Sequence, residues 1–264
     1  GNGVHEDKVL SYVYFTLAMK KAQDIQIYRL AKEERDDISA FLLQTEIEEA
    51  EEIANSWEEG QILKRSPIEE LEWLTWNGDV KAMIKLGMRY YRGEGVNKDY
   101  SKARELFEKA AEKGHADAMY KLGCMYAYGE DEDYMKAIEW WKKAVEKGYA
   151  LAMYRLGEMY FEGKGVNKDY SKARELFEKA AERGYIDAMY KLGCIYAYGY
   201  GVTQDRVLAY AYFLIAMKQG NPFIWYIVEN EKNRISGLLT QTEIREAEEI
   251  ADSWREGQIL KRLK

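Results

Sequence analysis

The seventeen residues Val96–Glu112, VNKDYSKARELFEKAAE, return without a change as Val166–Glu182. The offset of 70 residues from the start of one copy to the start of the next is too long for one pair of helices, and a second pattern divides it. A-M-x-x-L-G-x-x-Y begins at Ala82, Ala118, Ala152 and Ala188, in steps of 36, 34 and 36 residues. The short step falls where Gly129-Glu130-Asp131-Glu132-Asp133 replaces the G-x-G-V-x-x-D of Gly93–Asp99, Gly163–Asp169 and Gly199–Asp205. A period of this size marks stacked supersecondary units, none of which buries its apolar face alone.

Each unit reads as two helices. Helix A, for example Ala118 to Tyr128, sets Ala118, Leu122, Met125, Tyr126 and Gly129 at the spacing of a buried stripe. The G-x-G-V-x-x-D loop breaks it, and Asp99, Asp169 or Asp205 stands where an N-cap accepts bonds from the free amides of the next helix. Helix B, for example Tyr170 to Arg183, turns Ala173, Leu176, Phe177, Ala180 and Ala181 inward. Gly114, Gly148, Gly184 and Gly220 end the four copies, as C-terminal caps do. Two prolines in 264 residues suit long helices, since proline removes a donor and clashes inside them.

The spaced pattern resembles that of the Sel-one-like repeat (SLR) family, relatives of the tetratricopeptide repeats. Leu156, Gly157, Tyr160, Gly163, Gly165, Val166, Asp169, Lys172, Ala173, Ala180, Ala181 and Gly184 carry it in one copy, and it covers about Lys81 to Gly220. The resemblance implies an all-α fold: a right-handed α/α superhelix, or solenoid, of helix-turn-helix repeats with non-repeat helical caps. It also implies that the helix A stripes line a concave groove.

A longer duplication frames the ends. Val9–Lys21 resembles Val207–Gln219, and Gln44–Arg65 resembles Gln241–Arg262 with Q-T-E-I, E-A-E-E-I-A and E-G-Q-I-L-K-R in common. These segments read as two C-terminal caps. At Ser66-Pro67-Ile68-Glu69 a capping box opens a new helix. The expected division is therefore 1–65, the last half-repeat and cap of an upstream array, and 66–264, a second array. The latter comprises a degenerate first helix at 66–78, repeats at about 79–114, 115–148, 149–184 and 185–220, and a cap at 221–264. The first helix B lacks a helix A, so Val9, Tyr12, Val13, Phe15 and Leu17 are expected to invite a homotypic contact, unless the first cap covers them. The chain opens inside a repeat, so its N-terminus is read as truncated.

Composition and spacing exclude several functions. The net charge of −7 with interspersed signs offers no basic stripe for nucleic acid. No apolar run reaches the ~20 residues of a membrane span. His5 and His115 fall in different units and form no metal spacing. Cys124 and Cys194 lie two repeats apart, roughly 20 Å if layers stack at ~10 Å, too far for a disulfide. They read as packing residues, which with no visible leader favours a cytoplasmic setting. Glu130–Asp133 lacks the alternation and central glycine of a calcium loop. The G-x-G-V loops follow no strand, so they are turns and not a dinucleotide fingerprint. Trp140 and Trp141 take the places of Leu106 and Phe107 and read as core, while Trp57 and Trp254, in the cap helices, read as packing against the last repeat. No cofactor is expected.

One constellation remains. Comparing copies within the chain separates a uniform stripe (Ala118, Leu122, Gly123, Tyr126 and equivalents) from a variable, aromatic one. The variable stripe comprises Tyr120, Cys124 and Tyr128; Ile84, Met88, Tyr91 and Arg92; Tyr154, Glu158 and Phe161; and Tyr190, Cys194 and Tyr198. Lys85, Lys121, Arg155 and Lys191 form its rim. Partly exposed Tyr and Arg anchor interfaces, and Tyr loses little entropy when fixed. The expected function is a protein-interaction scaffold or adaptor that binds a peptide or partner protein along this face, without catalysis. Two rivals are a cell-wall- or substrate-directed hydrolase, or its accessory factor, for which no catalytic constellation assembles, and an engineered or consensus-like solenoid without a dedicated ligand.

Overall fold

The computed structural model describes residues 8–21, 30–33, 35–36, 44–56, 67–129, 132–220, 222–255 and 257–262. All regular structure among them is helical, and none of these helices is long and apolar enough to cross a membrane. The chain gathers into two compact units, 1–99 and 100–264.

In the first unit, α1 (Lys8–Lys21) packs on α2 (Gln44–Ser56), and α3 (Pro67–Trp76) on α4 (Val80–Arg92). Val13 and Leu17 on α1 are buried and Phe15 is half-buried. Of the two readings, these residues fit the one in which the first cap covers the helix: the cap helix α2 packs alongside α1, while the neighbouring Tyr14 stays exposed. The side chains of Val9 and Tyr12 lie outside the described residues. Pro67 opens α3 with Glu69 and Glu70 in its first turn, where acidic groups suit the helix dipole; Ser66 lies outside the described residues. Helix α4 is capped by Asp79, whose carboxylate accepts from the Ala82 amide at 2.9 Å.

The second unit holds α5 (Tyr100–Glu112), α6 (Ala116–Tyr128), α7 (Tyr134–Glu146), α8 (Ala150–Glu162), α9 (Tyr170–Glu182), α10 (Ile186–Tyr198), α11 (Arg206–Gln219), α12 (Pro222–Ser236) and α13 (Gln241–Ser253). Through α12 each packs on the next, and α13 returns to α11. Helices α6, α8 and α10 are A helices; α5, α7, α9 and α11 are B helices. The uniform stripe is what holds them: Ala118, Leu122, Ala152, Leu156, Ala188 and Leu192 are all buried. The glycine after each leucine makes room for an aromatic ring of its own helix B. At Gly123 a Cβ would lie 2.3 Å from Trp141 Nε1, and that indole donates to the Tyr120 carbonyl at 3.2 Å.

The loops work as their residues imply. Gly163 ends α8 at φ 75°, a left-handed angle that glycine adopts without cost. The loop then reaches Asp169, whose carboxylate accepts from the Lys172 amide at 3.0 Å. Asp205 caps α11 through Leu208 in the same way, and Asp133 caps α7 through Lys136 in spite of the shortened loop. Glu130 and Asp131 of that loop lie outside the described residues.

Two expectations need correcting. Gly220 ends α11 at φ −75° and ψ 160°, in extended form and not in a left-handed turn. Trp141 is fully buried, but Trp140 is only half-buried, with Lys143 Nζ 4.0 Å from its ring centroid. Helix α11 is apolar almost all round, from Val207 to Ala216, because α10, α12 and α13 all pack on it. The cap is tied down by a capping box at Thr240–Glu243, by buried Leu260, and by Arg262 bridging Asp205 at 3.4 Å and Glu246 at 3.1 Å. Trp254 packs partly buried against the same core, while Trp57 lies outside the described residues.

Candidate functional site: the helix A face

In the second unit the variable stripes of successive A helices touch. Arg155 on α8 lies over the ring of Tyr128 on α6, 5.7 Å from its centroid. Lys191 on α10 meets Glu158 on α8 at 3.1 Å. Glu231 on α12 accepts from the Tyr198 hydroxyl of α10 at 3.0 Å, and the Arg234 guanidinium lies 4.6 Å from the Tyr198 ring centroid. One polar, aromatic face therefore runs from α6 through α8 and α10 to α12.

Its centre is Glu158. This carboxylate takes Arg155 at 2.8 Å, Lys191 at 3.1 Å and the Tyr154 hydroxyl at 3.0 Å. The Arg155 guanidinium is held charged: burial works against it, and Tyr120, Tyr128 and Glu158 more than offset that. Lys121 reaches Asp117 at 3.5 Å.

Exposure differs sharply along the face. Tyr128 and Tyr198 are 52% and 44% exposed. Tyr120, Tyr190, Phe161, Cys124 and Cys194 are half-buried. Tyr154 is a correction to the expected partly exposed row. It is 8% exposed, because its ring is wedged against Phe177 and Tyr185 at 5.6 and 5.0 Å. Burial pushes the Tyr120 hydroxyl up to about 12, and raises those of Tyr154 and Tyr190 as well. Burial also raises both thiols, Cys194 to about 11.

Within the first unit, Ile84 is buried and Met88 half-buried, whereas Lys85, Tyr91 and Arg92 are exposed. Ile84 is thus core of α4 and not an open contact residue, which corrects its place in the stripe.

The sequence reading missed two groups. Tyr149 and Tyr185 follow the capping glycines and sit at the N-caps of α8 and α10. Their rings lie on Tyr120 and Tyr154, and their hydroxyls donate to Asp117 at 2.7 Å and Asp187 at 3.2 Å. The signal was present, as an aromatic residue after the glycine in both copies. The other group is Glu231 and Arg234, in a cap helix without repeat signature. No group of three or more His, Cys, Asp or Glu side chains is arranged to hold a metal among the described residues. His5 lies outside them, and His115 stands at the N-cap of α6 without capping it.

The repeat unit and its stacking define a solenoid. The Sel1 repeat is matched at residues 80–115, 116–149, 150–185 and 186–221, and the chain belongs to the Sel1 repeat family. It is 34% identical over 139 residues to the ERAD-associated E3 ubiquitin-protein ligase component HRD3A of Arabidopsis thaliana, covering 49% of this chain and 20% of that one. It is 36% identical over 75 residues to Protein sel-1 homolog 2 of Mus musculus, covering 26% and 11%. The chain thus spans no more than about a fifth of these relatives. Among solved structures it is similar to c5321, a protective antigen of uropathogenic Escherichia coli strains with an SLR fold. The TM-score is 0.64 at 29% identity, over 92% of this chain and 52% of that one. It is also similar to a Sel1 repeat protein from Oxalobacter formigenes, with a TM-score of 0.56 at 28% identity, over 62% and 70%.

Proposed function

We propose that this chain is a protein-interaction scaffold whose helix A face, the inner wall of the solenoid, docks a peptide or a partner protein. The observation that carries this reading is the exposure of Tyr128 and Tyr198 on a face otherwise made of packed rings and matched ions. Half-open tyrosines held by neighbours are pre-organised anchors, and little entropy is lost on contact. A relative named as a ligase component, HRD3A, supports a role inside an assembly. The division of the chain at residue 65, between the tail of one array and a second array, belongs to the same proposal.

Capture tests the face. The 264-residue chain is immobilised with a photoreactive residue at position 128, and retained proteins are identified with and without Tyr190→Ala and Tyr198→Ala. Lys179→Ala, on a helix B, is the control. The expected result is one cross-linked partner lost from the tyrosine variants and kept by the control, with the unfolding midpoint of the Tyr198→Ala chain, whose ring is exposed, close to that of the unaltered chain. Equal capture by all variants rejects the face as the docking surface.

A further inference from the structure

The two exposed tyrosines of the helix A face differ in what their hydroxyls do. Tyr128 and Tyr198 close α6 and α10 at equivalent places, each at the end of Tyr-Ala-Tyr. An arginine of the following layer lies over each ring, Arg155 at 5.7 Å and Arg234 at 4.6 Å from the centroid. At Tyr198 a carboxylate joins the two: Glu231 accepts from the hydroxyl at 3.0 Å and pairs with Arg234 at 3.0 Å. The acid beside Arg155 is engaged elsewhere. Glu158 accepts from the Tyr154 hydroxyl at 3.0 Å and holds Lys191 at 3.1 Å. Among the described residues the Tyr128 hydroxyl donates to no protein acceptor, and its ring is exposed.

The charges point the same way. Lys121 on α6, Arg155 on α8 and Lys191 on α10 are three cations, and the carboxylates in ion-pair contact with them are two, Asp117 and Glu158. Asp187, one turn before Lys191, accepts from Tyr185, and Glu162 is held by Lys164. Glu158 thus answers two cations with one charge. Arg155 is the more open partner of that pair, its side chain 35% exposed against 13%, and it meets Glu158 through Nη1. The guanidinium carries further donors in a rigid fork. It also rests on the rings of Tyr128 and Tyr154, so little freedom remains to be lost on pairing.

Resting on the docking role above, we infer that the partner brings an acidic side chain, Asp or Glu, to this face. Its carboxylate accepts from the Tyr128 hydroxyl and pairs with Arg155, as Glu231 does for Tyr198 and Arg234. Glu158 is then left to Lys191. A neutral amide there would accept from the hydroxyl but bring no charge, and a basic side chain would meet a cation already in excess.

The probe is acetyl-Gly-Glu-Gly-amide, titrated at low ionic strength into the whole isotope-labelled chain, with the Gln tripeptide as its neutral counterpart. The Nε–H signals of Arg155 and Arg234 are followed by NMR, assigned by their loss in Arg155→Gln and Arg234→Gln. The Glu peptide is expected to shift Arg155 saturably, about tenfold more tightly than the Gln peptide, and to leave Arg234 still. Tyr128→Phe removes the hydroxyl alone and should weaken binding about fivefold. Glu231→Ala should open the second place, so that Arg234 now answers the Glu peptide. An unmoved Arg155, equal response to Glu and Gln, or an affinity untouched by Tyr128→Phe overturns the inference. An Arg234 that stays silent in Glu231→Ala overturns it too, as does a stronger response to acetyl-triglycine with a free C-terminal carboxylate, which assigns the place to a chain end. In each of these cases the photo-capture result decides the docking face by itself.

Discussion

Gly193 and the ring of Phe213 occupy one space: a Cβ on the glycine would lie 2.4 Å from Phe213 Cε1. Phe213 is fully buried and cannot swing away. Gly193→Ala is expected to cost about 1–3 kcal/mol by overpacking. The double variant with Phe213→Leu should be less destabilised than the two single effects added, by about 1 kcal/mol. Urea unfolding of the four chains measures both.

Glu158 gathers three donors on a face that is mostly covered. Glu158→Ala leaves Arg155, Lys191 and the Tyr154 hydroxyl without their shared acceptor. A loss of about 1–3 kcal/mol is expected, the cost of unsatisfied partly buried groups. Glu158→Gln keeps an acceptor for Tyr154 and should lose less. The comparison is a pair of denaturant midpoints at low and high salt; equal losses in the two variants would contradict the assignment.

The tyrosines set an alkaline limit. In Tyr120, Tyr149, Tyr154, Tyr185 and Tyr190 burial raises the hydroxyl above its ordinary value of 10. The unfolded chain therefore releases these protons first. The stabilisation is fully present below pH 10 and is lost as pH rises toward the folded values, about 12 for Tyr120. On the acid side the capping carboxylates Asp133, Asp169 and Glu243 are held low by backbone amides. Their contribution stands above the ordinary carboxylate range and fades as pH falls through it. Thermal midpoints should form a plateau between these arms, with a steep alkaline fall; stability unchanged well above pH 10 would contradict the tyrosine burial.

Cys194 should be slow to react. Burial lifts its thiol to about 11, so at pH 8 its thiolate fraction is about two orders of magnitude below that of a free cysteine near 8.5. Alkylation by iodoacetamide, followed by mass spectrometry, should show that ratio in the native chain and none after denaturation.

The sequence made the repeat layout legible because stacking demands uniformity, and uniformity shows on comparing copies: the Leu-Gly steps and the Asp169 and Asp205 caps stand where their spacing puts them. Exposure was less legible. Tyr120, Tyr154 and Tyr190 occupy equivalent positions, yet Tyr154 alone is buried, its ring wedged against Phe177 and Tyr185 and its hydroxyl on the Glu158 that stands where its neighbours have cysteine. Ile84 is buried too, where the three later copies have tyrosine. Glu231 and Arg234 belong to no periodic pattern, so only the packing of α12 brings them to Tyr198.

Interior B helices such as α9 keep a charged outer side, whereas α11 has almost none. The need for a closing cap is thus written into the last repeat helix: α9 keeps one side for water, but α11 must be covered by α12 and α13 or expose an oily surface. Lengthening the rod beyond that point would call for a new terminal helix, not merely another copy of the unit.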